Sequence, residues 1–109
     1  MTLLRRLLPI AALALPLLAA TAPAKAQDPS FRLNNSTGQT INEVYVSSSQ
    51  QRDWGADLLG ADVLLNGNTL TIRIRDGQCL NDIRVIYASG RSQEWLQRNT
   101  CQITDININ

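Results

Sequence analysis

Two hydropathy patterns divide the chain. Residues 7–21 are a nearly unbroken apolar run of Leu, Ala, Ile and Pro, whereas from Phe31 onward apolar and polar positions alternate. A period of two marks a strand with one buried face. Phe31 and Leu33 alternate with Arg32 and Asn34, ahead of a turn at Asn35-Ser36-Thr37-Gly38. Residues 40–47 read as a second strand, carrying Ile41, Val44, Tyr45 and Val46, types that suit a pleated surface. Leu70, Ile72 and Ile74 alternate with Thr71, Arg73 and Arg75. Ile83, Val85 and Tyr87 alternate with Asp82, Arg84 and Ala88, with Ile86 the exception. Ser89-Gly90 marks a turn, after which residues 93–96 return as a strand. Ile106 and Ile108 alternate at the end, and the opposite parity of Ile103 predicts a bulge or break near Thr104-Asp105.

Register sharpens part of this into a hairpin. With Arg75 opposite Asp82 across the loop 76–81, Ile74 meets Ile83, Ile72 meets Val85 and Leu70 meets Tyr87, all on one face. The other face then sets Arg73 opposite Arg84. Residues 48–68 lack strand periodicity. A polar loop at 47–51 leads to Asp53, placed to cap a short helical turn near 54–60 that Gly60 ends, and Asn66-Gly67-Asn68 forms a tight turn into the strand at Leu70. The expected fold is all-β: a small antiparallel β-sandwich or partly open barrel of six to seven short strands.

Composition changes the picture chiefly at the N-terminus. Arg5 and Arg6 precede the apolar run, and Ala24-Lys25-Ala26 is a small-x-small site before Gln27, the grammar of a secretory signal peptide. The run is shorter than the about 20 residues of a spanning helix and is interrupted by Pro9 and Pro16. Residues 1–26 are therefore expected to be cleaved, leaving residues 27–109 as one β domain, periplasmic or secreted, with no stable membrane insertion. The full chain carries +1, but residues 27–109 hold seven Arg against nine Asp and Glu, a net −2, with no Lys and no His. Nucleic-acid binding draws on many phosphate contacts, and this dispersed set argues against it. Cys79 and Cys101 are an even pair in an oxidising compartment and read as a disulfide, contributing about 3 kcal/mol. A redox or metal-binding role would call for C-x-x-C spacing or a His partner.

Much chemistry is missing. Without His or Lys in residues 27–109 there is no Ser-His-Asp, Cys-His, Ser-Lys or Schiff-base arrangement, and no glycine-rich phosphate loop is present. Glu43, Asp53, Asp57, Asp62 and Glu94 are the formal candidates for a hydrolytic carboxylate pair, in a domain with little room for a deep cleft. Asp53, Asp57 and Asp62 with Asn66 and Asn68 could offer oxygen ligands to calcium, but their spacing departs from the loop that binds it. Capping and turn chemistry account for Asp53, Asp57, Asn66 and Asn68. No enzyme, metal or cofactor is expected. Trp54, Arg73 and Arg84 form the candidate interaction surface. Trp54 reads as a loop anchor or a sugar-facing ring. Trp95 falls on the Arg84 face if the Ser89-Gly90 turn has two residues, and inside with Val85 if it has three.

Three blocks carry a resemblance. They are Asn34-Asn35-Ser36-Thr37-Gly38 with Ile41 and Val44-Tyr45-Val46-Ser47; Trp54-Gly55-Ala56-Asp57-Leu58-Leu59-Gly60; and Cys79-Leu80-Asn81-Asp82-Ile83-Arg84-Val85-Ile86-Tyr87, followed by Gly90 and Cys101. Together they resemble a group of small exported bacterial β-domain proteins. The resemblance spans nearly all of residues 27–109. It implies a domain with a paired-cysteine bridge and transfers neither an activity nor a functional residue. The expected function is a non-catalytic exported binding domain whose partner is a protein or an envelope component, met by the 47–53 loop, Trp54 and the arginine face. The alternatives are a structural or stress-protective envelope protein without a specific ligand, and a small inhibitor of an extracytoplasmic enzyme.

Overall fold

The alternation along the chain becomes alternating burial. In a computed structural model that describes residues 27–109, Phe31, Leu33 and Asn35 are buried while Arg32 is exposed and Asn34 half-buried. Likewise Asn81, Ile83, Val85 and Tyr87 are buried and the residues between them are not. The expected leader, residues 1–26, lies outside the described residues. Six strands follow in order: β1 (Phe31–Asn35), β2 (Ile41–Ser48), β3 (Thr69–Ile72), β4 (Leu80–Tyr87), β5 (Ser92–Asn99) and β6 (Asp105–Ile108), with a 3-10 turn at Thr100–Gln102. They form two three-stranded sheets, β3-β1-β6 and β2-β4-β5, and the barrel does not close.

The core lies between the sheets. Phe31, Leu33, Ile72 and Ile108 come from the first sheet and Ile41, Val44, Ile83, Val85 and Tyr87 from the second, with Leu64 from the long connection. Each such side chain contributes about 1.5–3 kcal/mol relative to exposure. The Cys79–Cys101 disulfide is present and ties the approach to β4 to the 3-10 turn. Beside it Asn81 is fully buried and satisfied. Its Nδ2 donates to the Gln78 carbonyl (2.8 Å) and Thr100 Oγ1 (3.0 Å), and its Oδ1 accepts from Gln78 Nε2 (2.8 Å).

The expected hairpin between residues 70–75 and 82–87 does not form. β3 pairs with β1, Phe31 facing Ile72 and Leu33 facing Leu70, while β4 lies between β2 and β5. Alternation fixes which face of a strand turns inward but not which strand lies beside it. Two strands packed across a sandwich show the same apolar parity as two that are hydrogen-bonded. The chain leaves β3 still bound to the first sheet, where the Ile74 N–H donates to Ser30 Oγ (3.0 Å), and then crosses to the second. Arg73 and Arg84 are accordingly not cross-strand partners.

Smaller expectations are refined or met. The 54–60 segment is not helical but a pair of successive turns, Gly60 N–H to the Asp57 carbonyl and Asp62 N–H to the Leu59 carbonyl. The capping carboxylate is that of Asp57 rather than Asp53, accepting from the N–H groups of Val44 (2.9 Å) and Leu59 (3.0 Å). That contact, with Leu58 N–H to Val44 O and a two-way exchange between Ile41 and Leu64, covers the outer edge of β2. The sheet pairing is not wholly antiparallel. β6 runs parallel to β1 because the chain returns from the second sheet through the 3-10 turn instead of a hairpin. The break near Thr104-Asp105 is found, β6 starting at Asp105. Residues 88–91 join β4 to β5, with Tyr87 N–H donating to Arg91 O and Gly90 at φ 91°. This sets Trp95 opposite Ile83, packed against the core.

Candidate functional site

A broad concave surface lies at the disulfide end. Because β2 and β4 are neighbours, the turn after β2 sits beside the segment leading into β4. The Ser49 N–H donates to the Leu80 carbonyl (3.0 Å) and the Gln51 N–H to the Ser48 carbonyl (2.9 Å). Between these segments is an open groove of about 830 Å³, lined by Ser48, Gln50 and Gln51 on one side and by Arg75, Asp76, Gly77, Gln78, Cys79 and Leu80 on the other. Its second wall is fixed by the disulfide and by Gln78 N–H to Arg75 O and Cys79 N–H to Gly77 O. Gln50 and Gln51 are exposed, as are Arg75 and Asp76, and Leu80 adds an apolar patch, half of its surface accessible. Side-chain amides donate and accept at once, and Arg75 with Asp76 adds one charge of each sign. Such a lining can hold a polar ligand.

The residues singled out from sequence are dispersed. Trp54 is half-buried in the loop after β2 and outside the core cluster. Arg73 is exposed just beyond β3. Arg84 lies on the outer face of the second sheet, opposite Tyr45 and Glu94. Among the described residues no hydrogen bond, ion pair or ring contact joins the three. Only the 47–53 loop, of the contacts expected from sequence, reaches the groove. Arg75, Asp76 and Gln78 were not foreseen as site residues. The one signal for them was their position in the loop that leads to Cys79.

The outer face of the second sheet has its own electrostatics. The Tyr45 hydroxyl donates to Glu43 Oε1. That hydrogen bond, with partial burial and the charges of Glu43 and Asp57 adding to it, raises the phenol pKa above its ordinary value, while Arg84 opposes the shift. Arg84 Nε is buried and without a hydrogen-bond partner, 3.6 Å from Glu94 Oε2. Nearby, β5 carries a bulge opposite Asp82, where Gln97 adopts φ 55°. Asp82 Oδ1 holds it by accepting from Gln97 N–H (2.8 Å) and from Ser49 Oγ (2.7 Å). The carboxylates that might have served calcium are committed elsewhere or apart. Asp57 caps its turn and Asn66 Oδ1 accepts from Gly38 N–H (2.8 Å). Among the described residues no three Cys, Asp or Glu side chains converge.

Comparison with protein-family models, with curated proteins and with solved structures returns no match to this chain. The likeness to small exported β-domain proteins thus stands on its residues alone.

Proposed function

We propose that the chain is a non-catalytic, exported binding domain that meets its partner, a protein or another envelope component, in the groove beside the Cys79–Cys101 bridge. One observation carries this reading: two backbone-fixed walls present hydrogen-bonding side chains, Gln50, Gln51, Arg75 and Asp76, that have no side-chain partner among the described residues. A groove held by a disulfide and strand ends loses little conformational freedom on binding. Export is supported by the leader grammar at residues 1–26 and by a disulfide, which persists outside the reducing cytosol.

A photo-crosslinking residue at Gln51, in a chain expressed with its own leader, tests this directly. Irradiation should give a discrete adduct that is lost when Arg75→Ala and Gln78→Ala are added. The same probe at Asn107, on the opposite sheet, should give none. Equal labelling at both positions, or none at Gln51, would overturn the reading and leave the structural envelope role.

A further inference from the structure

We propose that Gln27 is a modification site: after leader removal it closes on itself to pyroglutamate at the rim of the groove. The inference rests on the export reading above and deepens it. The chain is gripped by the fold from Pro29 onward, whose side chain is fully buried, and Phe31 enters the core. Gln27 stands just outside that grip. It is exposed, its carbonyl accepts from Gly77 N–H (3.0 Å), and Gly77 lines the groove. Its side-chain carboxamide has no hydrogen-bond partner among the described residues, so nothing competes for it.

Cleavage after Ala24-Lys25-Ala26 makes Gln27 the first residue and frees its α-amine. Part of such an amine is unprotonated at neutral pH. The amine lone pair attacks Cδ of the same residue's carboxamide. The N–Cδ bond forms and the Cδ–Nε2 bond breaks. Ammonia leaves, taking up the proton that the amine gives up. The product is a five-membered lactam, and the step needs no oxidant, reductant or second substrate. It removes the positive charge of the terminus, so the groove keeps Arg75 and Asp76 as its ionic groups with no ammonium beside them. The domain's net charge falls by one.

The full chain, expressed in a bacterium with its leader and recovered from outside the inner membrane, gives the test by intact mass and N-terminal sequencing. The expected result is the mass of disulfide-bonded residues 27–109 less one ammonia, with a terminus that resists stepwise degradation until a pyroglutamyl peptidase removes the first residue. Gln27→Ala should give an open terminus with no ammonia lost. A product beginning at Gln27 that keeps a free amine after prolonged neutral incubation would overturn this inference and leave export intact. A product that retains residues before Gln27 would overturn both.

Discussion

On the outer face of the first sheet Arg32 meets Asp105 across the parallel β1–β6 pair through two hydrogen bonds, Nε to Oδ1 (2.9 Å) and Nη2 to Oδ2 (2.8 Å). Asn34 extends the set, donating to Asp105 Oδ1 (3.2 Å) and Asn107 Oδ1 (2.7 Å) and accepting from Thr69 Oγ1 (2.6 Å). On the second sheet Arg84 also faces a carboxylate across a strand pair, yet its Nε makes no hydrogen bond. The outcome differs with what each strand requires. β6 has four residues, one paired neighbour and one fully buried side chain, Ile108, so a closed polar clamp and the disulfide just ahead of it matter to its attachment. β2, β4 and β5 have eight residues each; β2 and β4 hold one another by length and core packing, and β5, paired only with β4, adds the partly buried Trp95.

The strongest way to break this contrast is to remove the staple. Cys79→Ser with Cys101→Ser should lower stability by about 3 kcal/mol, enough to drop Tm by more than about 10 °C in a domain of this size. Hydrogen exchange should show β6 losing protection well before β4. Uniform loss across both sheets would mean that the first sheet has no special dependence.

Next come the buried polar pins. Asn35 is buried and makes four hydrogen bonds, Nδ2 donating to the carbonyls of Gln39 and Leu64 and Oδ1 accepting from Thr37 N–H and Oγ1. Asn35→Ala strands several of these groups and should cost about 2–3 kcal/mol in urea denaturation. Asp82→Ala on the second sheet releases only Gln97 N–H and Ser49 Oγ, for about 1–2 kcal/mol. A reversed order would show that the bulge in β5, not the β1 turn, is the more critical polar device.

The clamp on the first sheet also predicts an acid response. The hydrogen bond from Arg32, then that from Asn34, holds the Asp105 pKa down at about 2, below the ordinary aspartate value of about 4. A depressed folded-state pKa adds stability that is complete above the unfolded value and is lost as pH falls from about 4 through about 2. Tm should therefore drop over that window more steeply in the parent than in Asp105→Asn. Parallel curves would show that the clamp is not linked to folding.

Sequence and structure agree where one local rule decides the outcome. Each strand lies close to where the sequence puts it, although β3 stops at Ile72 and not at Arg75, Ile103 marks the break before β6 by its parity, and the paired cysteines give the bridge. Strand neighbours were not legible, because the match of Leu70, Ile72 and Ile74 to Tyr87, Val85 and Ile83 holds equally for strands stacked across a core. That ambiguity also hid the groove. Its walls, 48–51 and 75–80, meet only because β2 lies beside β4, which no local pattern encodes. Arg73 and Arg84 were joined by the same wrong register. The local turn role of Asp57 was legible, with Leu59 N–H two residues on, but its second partner, Val44 N–H, is thirteen residues away and was not.

The smallest effect is the sharpest test of the contrast between the two arginines. Arg84→Met keeps the long apolar stem that lies along the sheet and removes a buried Nε that has no hydrogen-bond partner. Stability should stay within about 0.5 kcal/mol of the parent, with any change toward stabilisation, whereas Arg32→Met, which breaks a bidentate pair, should destabilise. A second readout separates a silent Arg84 from an electrostatically coupled one. Arg84 favours the charged phenolate of Tyr45, against the hydrogen bond to Glu43 that raises its pKa. Removing the cation should move the Tyr45 titration to still higher pH, seen as a later rise in tyrosinate absorbance after subtraction of a Tyr45→Phe control that leaves only Tyr87. An unmoved titration together with a marked loss of stability would mean that Arg84 is as firmly engaged as Arg32, and the two faces would then differ in geometry but not in function.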